Sequence, residues 1–209
     1  LAGGLSGAIS AQAVVQVGGV TCLYLARAGE STLHGFSVGP TGALTAIGSS
    51  VLDGAYPGVD ITSLSSVTVA GQTFLVSLSL EADVVRTFPL GPGGAIGQPQ
   101  SLGAPQGLGI ADPSAVRAVE IAGTTFLVVA SAGSSSLSVI EVSSSGSMRV
   151  ADHVIDTLDT RLAGVKALAT VADGDRVFVI AGGGDGGVHV LTLMPDGRAS
   201  IHCVVPPSR

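Results

Sequence analysis

The runs CLYLA at 22–26, FLVSL at 74–78, FLVVA at 126–130 and VFVIA at 177–181 are apolar at successive positions, with almost no polar alternation. A strand with that pattern is covered on both faces, which excludes a lone sheet with one wet side. Glycine punctuates these runs at a fixed interval. A first turn falls at Gly19, Gly71, Gly123 and Gly174, spaced by 52, 52 and 51 residues, and a later turn at Gly42, Gly94, Gly146 and Gly197 keeps the same spacings. Each interval reads strand, Gly turn, strand, small-residue turn, strand, Gly turn, strand, and tight Gly turns suit hairpins.

Four such repeats predict an all-β chain in which four-stranded antiparallel meanders stack as the blades of a β-propeller. The predicted blades cover residues 8–58, 59–109, 110–164 and 165–209 of a single propeller domain spanning 1–209. A β-sandwich would not need a constant period, and solenoid repeats are shorter. Four blades lie at the low end for closed rings. The expectation therefore divides between a four-bladed ring closed by face packing and half of an eight-bladed ring completed by a second copy of the chain.

Composition agrees with blades that converge. The first strands, as in SSVTVAG, AVRAVEIAG and ALATVADG, are built from small residues, and the chain has 3% aromatic residues and no Trp. With 46% hydrophobic and 11% charged residues it is neither a disordered nor a helix-rich protein. Its mean hydropathy is +0.60, yet the apolar runs are far shorter than the roughly 18 residues of a membrane-spanning helix. A net charge of −6 and a single lysine leave no basic stripe for nucleic acid. Cys22 and Cys203 lie far apart in apolar runs and read as small buried hydrophobes.

Residues 153–198, through DTLDTRLAGV, RVFVIAGGGDGG and LTLMPDGR, resemble the repeat units in propeller-like regions of secreted, hemolysin-type calcium-binding (RTX) proteins of marine alphaproteobacteria. The resemblance implies an extracellular location, a display or binding role and an association with calcium. GGGDGG at 182–187 stands for at most one degenerate calcium-binding repeat, and it also reads as a Gly-rich hairpin between second and third strands.

No GxSxG elbow, HExxH, P-loop or CxxC pair appears. Candidate chemistry gathers in the loops before the first strand of each blade, GVDITSL, IADPSAV and LDTRLAGV. Asp60 and Asp112 are 52 residues apart and hold equivalent positions on neighbouring blades; Asp159, Arg161 and Lys166 lie in or near the fourth version, where Gly164 replaces Asp. Converging carboxylates, Asp60 and Asp112 first, could hold a hard cation such as Ca2+; an Asp before a strand also caps turns. His34 and His189 both stand eight residues before a later-turn Gly, with Arg86 and Ser138 at the same place in the middle copies, and read as surface or satisfied histidines. Two functions follow from different classes. The first is a non-catalytic extracellular binding or assembly module whose partner is a protein or a second copy of itself. The alternative is a metal-dependent, lactonase-like hydrolase.

Overall fold

The computed structural model describes residues 7–52, 61–157, 159–174 and 176–205, the last five as backbone alone. The strands are β1 (Ile9–Val17), β2 (Val20–Arg27), β3 (Thr32–Val38) and β4 (Leu44–Val51) in the first sheet, and β5 (Ile61–Val69), β6 (Gln72–Ser79), β7 (Val84–Pro89) and β8 (Gln100–Leu102) in the second. The third sheet holds β9 (Pro113–Ile121), β10 (Thr124–Ser131), β11 (Ser136–Val142) and β12 (Met148–Ile155); the fourth holds β13 (Ala167–Asp173), β14 (Arg176–Gly182), β15 (Val188–Leu193) and β16 (Ala199–Val205). In every sheet the spatial order is the sequence order. These antiparallel meanders are the blades of a β-propeller, as the repeat predicts. Among the described residues no helix is long and apolar enough to cross a membrane.

The chain divides into two compact units, one running through residue 101 with residues 144–146, the other holding 102–143 and 147 onward. In the first unit, Val15, Val17, Cys22, Tyr24 and Leu33 of blade 1 pack on Ile61, Leu75, Phe88 and Leu90 of blade 2. Tyr24 is wholly buried, and its hydroxyl donates a 2.7 Å bond to the carbonyl of Gly94 in the next blade. Burial pushes this phenol far above its ordinary pKa, with Cys22 adding to the shift. The tyrosine is therefore a neutral peg between blades.

In the second unit, Phe126, Val128, Ala130, Leu137 and Val139 of blade 3 face Leu168, Val177, Val179, Ala181, Leu191 and Leu193 of blade 4. Every residue from Thr125 to Ser131 is buried, the outcome that the unbroken apolar run foretold. Outer strand β12 exposes much of its surface instead. Asp152 Oδ2 accepts from the Ala199 amide at 2.8 Å and so fastens β12 to the outer strand of the next blade.

The first hairpin turns are two residues long, with positive φ at both: 49° and 83° for Ala70 and Gly71, 50° and 77° for Ala122 and Gly123. This is the mirror-image turn that matches strand twist. In blade 4, Asp173 pairs with Arg176, so Gly174 takes the first of the two positions and matches Ala122, not Gly123. The interval is therefore 52 there as well, and the lost residue lies elsewhere. Phe126 faces Glu141 across β10 and β11, 15 positions on; Phe178 faces Thr192 across β14 and β15, only 14 on. The turn formed by residues 183–187 has been shortened by one residue.

Two glycines with the same backbone separate strain from crowding. Gly42 has φ +80° and open space where a Cβ would go; Gly197 has φ +84°, and a Cβ there would lie 2.7 Å from both Ala151 Cβ and Phe126 Cε1. Gly42→Ala is expected to cost about 1 kcal/mol of left-handed strain, and Gly197→Ala about 3 kcal/mol once overpacking is added. Urea unfolding midpoints of the two variants check the difference; equal losses would contradict the packing described.

Candidate functional site

The loop that feeds β13 is built from its own polar groups and from blade 3. Asp156 Oδ1 accepts from the Leu162 amide at 2.8 Å, and the buried Thr160 hydroxyl donates to the Ile155 carbonyl at 3.1 Å. The Gly164 amide donates to Ser135 Oγ at 3.1 Å, and Ser114 Oγ donates to the Val165 carbonyl at 2.7 Å. At the loop's end the Lys166 amide bonds the Gly182 carbonyl and the Gly184 amide bonds the Ala163 carbonyl. Loop and shortened glycine turn are thus sewn together along their backbones. Between them lies a cleft of about 510 Å³ lined by Gly164, Lys166, Ala167, Gly182, Gly183 and Gly184.

Of the residues singled out by sequence, Asp159, Arg161 and Lys166 share this loop, but only Lys166 lines the cleft. Asp159 is exposed and Arg161 half-buried. Asp60 lies outside the described residues. Asp112 sits in the corresponding loop of blade 3, exposed, with φ +51°; Gly164, its equivalent in blade 4, has φ +56°. A left-handed backbone position favours Gly, Asn and Asp, so one conformational demand accounts for both residues. The Asp112 carboxylate rests over the β10–β11 turn, where a Cβ on Gly133 would meet its Oδ2 at 2.7 Å. Among the described residues no three His, Cys, Asp or Glu side chains gather as a metal set.

The histidine position departs from expectation. His34 is half-buried, with Nε2 3.6 Å from Glu30 Oε2, and Glu30 also pairs with Arg27 at 2.7 Å. His189 is neither at the surface nor satisfied. It is 0% exposed, and both ring nitrogens are without a hydrogen-bond partner. Burial lowers its pKa, while the charge of Asp185 works the other way. Asp185 Oδ1 is itself buried without a partner, and each such orphaned atom costs about 1–3 kcal/mol. Sequence reasoning missed this pair. The signal was present in the interval of 51 and in the single acid of GGGDGG, which together mark the shortened turn.

One serine–histidine pair also comes together, Ser138 Oγ with His153 Nδ1 at 2.9 Å. It cannot serve as a nucleophile, because Ser138 is 0% exposed, and Asp152 is already engaged with the His153 and Ala199 amides. The pair instead satisfies a hydroxyl buried on the blade face.

No protein-family model and no curated protein sequence matches the chain. Solved structures do match its fold. A candidate 6-phosphogluconolactonase from Bacteroides fragilis superposes with a TM-score of 0.68 at 14% identity, covering 96% of this chain and 57% of that one. A periplasmic gluconolactonase of Pseudomonas aeruginosa gives 0.64 at 19% identity, over 94% of this chain and 56% of its own. An exo-β-1,3-galactanase from Phanerochaete chrysosporium gives 0.60 at 14% identity, over 95% and 50%. The chain therefore spans little more than half the length of these structures. These structures carry the names of hydrolytic enzymes, which tells against the expectation of a non-catalytic binding or assembly module and corrects it; the likeness itself is one of fold.

The buried imidazole gives stability a pH dependence of known sign. Its folded pKa is depressed, so the folded chain holds fewer protons than the unfolded one between that value and the ordinary 6.5. The contribution is full above this window and is lost as pH falls through it. The wild-type melting temperature should thus drop as pH falls below the ordinary histidine value, and His189→Ser, which copies the blade 3 residue, should flatten the drop. Parallel melting curves for the two proteins would contradict a buried neutral ring.

Proposed function

We propose that the chain forms part of a hydrolase of sugar-acid lactones. The observation that carries the reading is the fold-level likeness, over 94% or more of the chain, to a candidate 6-phosphogluconolactonase and a periplasmic gluconolactonase. The head of blade 4 supports it, since the chain's single lysine stands at a cleft otherwise lined by backbone and a methyl group. Hydrolysing a lactone requires a site for the ring, a cation or N–H donor for the oxyanion that develops on the carbonyl, and a base for the attacking water. Lys166 is the residue assigned to the oxyanion. Glycoside hydrolysis fits less well, because it usually needs two carboxyl groups flanking the bond, and none lines this cleft.

A metal-assisted version draws on Asp60 and Asp112. Among the described residues Asp112 belongs to no group of three His, Cys, Asp or Glu side chains, so no step is routed through a cation. A location outside the cytoplasm belongs to this reading; the periplasmic gluconolactonase is compatible with it, and so is the resemblance to secreted repeat proteins. A second copy of the chain is the partner proposed. Light scattering tests it, with a mass of twice 20.4 kDa expected at working concentration and a persistent monomer overturning it.

A panel of δ- and γ-lactones of sugar acids, followed by pH-stat, tests the function itself. Hydrolysis of at least one member is expected, with Lys166→Ala lowering kcat/KM by about a hundredfold while the fold is retained. Folded wild-type protein that opens no lactone in the panel would sink the reading.

A further inference from the structure

The face of blade 3 that meets blade 4 is sealed, with Phe126, Val128, Leu137 and Val139 each 1% exposed. Blade 4 carries the same face one repeat on, where Phe178 and Ile180 of β14 stand opposite Thr192 and Val190 of β15. Val177, Val179 and Ala181 point into blade 3, so the alternating Phe178 and Ile180 point away from it. Here the apolar surface is open. Phe178, Ile180 and Val190 are only half-buried; Val171, opposite Phe178, is 49% exposed, and Val188 is 41% exposed. Thr192 lies on this face too, its hydroxyl buried without a hydrogen-bond partner.

Blade 1 carries the complementary half. Ile61 of blade 2 and Val165 of blade 4 hold one repeat position, and each is buried against the blade before it. Ile9 holds that position in blade 1 and is 46% exposed. Cys22, Tyr24 and Ala26 point into blade 2, which turns Leu23 and its cross-strand neighbours Val14 and Phe36 the other way. Val14 is 66% exposed.

We infer that the outward face of blade 4 is the seat of blade 1 from a second copy of the chain, and that this copy builds the missing wall of the Lys166 cleft. The inference rests on the second copy proposed above as partner and names the surfaces that join. The contact of blade 3 with blade 4 is its template. Ser114, the counterpart of Lys166 in blade 3, donates to the Val165 carbonyl of the next blade at 2.7 Å, and Leu162 and Val165 fill the space beside Ala115 and Ala130. The equivalent space beside Ala167 and Gly182 is the cleft, lined by blade 4 and its own loop. Seating blade 1 there brings the backbone at Ile9 of the second copy to Lys166. Ser114 stays half-buried with its wall in place, so the lysine position keeps an opening to solvent. The fold of the two lactonase structures also runs on past the matched part, which takes up 57% and 56% of their length. A head-to-tail contact leaves one face of each kind unused until it is made a second time, and two copies then close on each other.

Light scattering and circular dichroism on wild type, Val171→Asp, Ile9→Asp and a control, Ile155→Asp, test the seat. All three side chains are exposed, so the native β spectrum should persist in every variant. Wild type and the control should read twice 20.4 kDa, and Val171→Asp and Ile9→Asp should each read 20.4 kDa at the same concentration. An equimolar mixture of those two should regain the doubled mass at raised concentration, because one intact face of each kind survives between them. A dimer that persists in either variant overturns the seat while leaving a second copy as partner. A monomeric wild type overturns both. Lys166 is the chain's single lysine, so amine acetylation followed by mass spectrometry reads the wall, and it should run several-fold faster in the two monomeric variants than in wild type. Equal rates overturn the wall, and neither readout depends on whether a lactone is opened.

Discussion

The middle strands β6 and β10 are dry on both faces along nearly their whole length. That single constraint explains the unbroken apolar runs, the scarcity of large aromatics and the use of glycine where a side chain would strike the next blade. Burying a Val, Leu or Phe from water is worth about 1.5–3 kcal/mol, and the interfaces of blades 1 and 2 and of blades 3 and 4 each gather a dozen or so buried apolar residues. The same dryness makes any polar atom on a blade face conspicuous. Tyr24 meets it by donating to a backbone carbonyl, and Ser138 by pairing with His153.

The architecture was open to sequence reasoning because its cause is periodic. A sheet covered on both faces leaves a run without alternation, and hairpins leave glycines at constant intervals, so β6 and β10 could be placed from FLVSL and FLVVA. The strand register was not visible. Gly123 and Gly174 look like counterparts, yet pairing of Asp173 with Arg176 shifts the match by one position. A glycine suits either position of a mirror-image turn, so its identity says nothing of which it occupies.

The candidate site was legible only in part, and for the converse reason. Loops before first strands could be located by period, which brought forward Lys166, a residue that the structure places beside the cleft before β13. Which loop residues face a cleft depends on how the backbone is sewn, as the Lys166–Gly182 and Gly184–Ala163 bonds show, and no pattern of residue types encodes that. His189 was judged by its equivalents, and symmetry misled. A shared position in four blades does not carry a shared environment once one blade has lost a residue from the adjoining turn.

The left-handed residue at the head of a blade has a consequence for how such a chain can diversify. Asp112 and Gly164 occupy one backbone state with φ of 51° and 56°, and the conformation tolerates an acid or no side chain at all. Exchange between the two alters local charge while the strand behind it stays in register. A tandem array of blades thereby offers a row of interchangeable electrostatic positions, each open to selection on its own, above a scaffold that need not be redesigned when one of them changes.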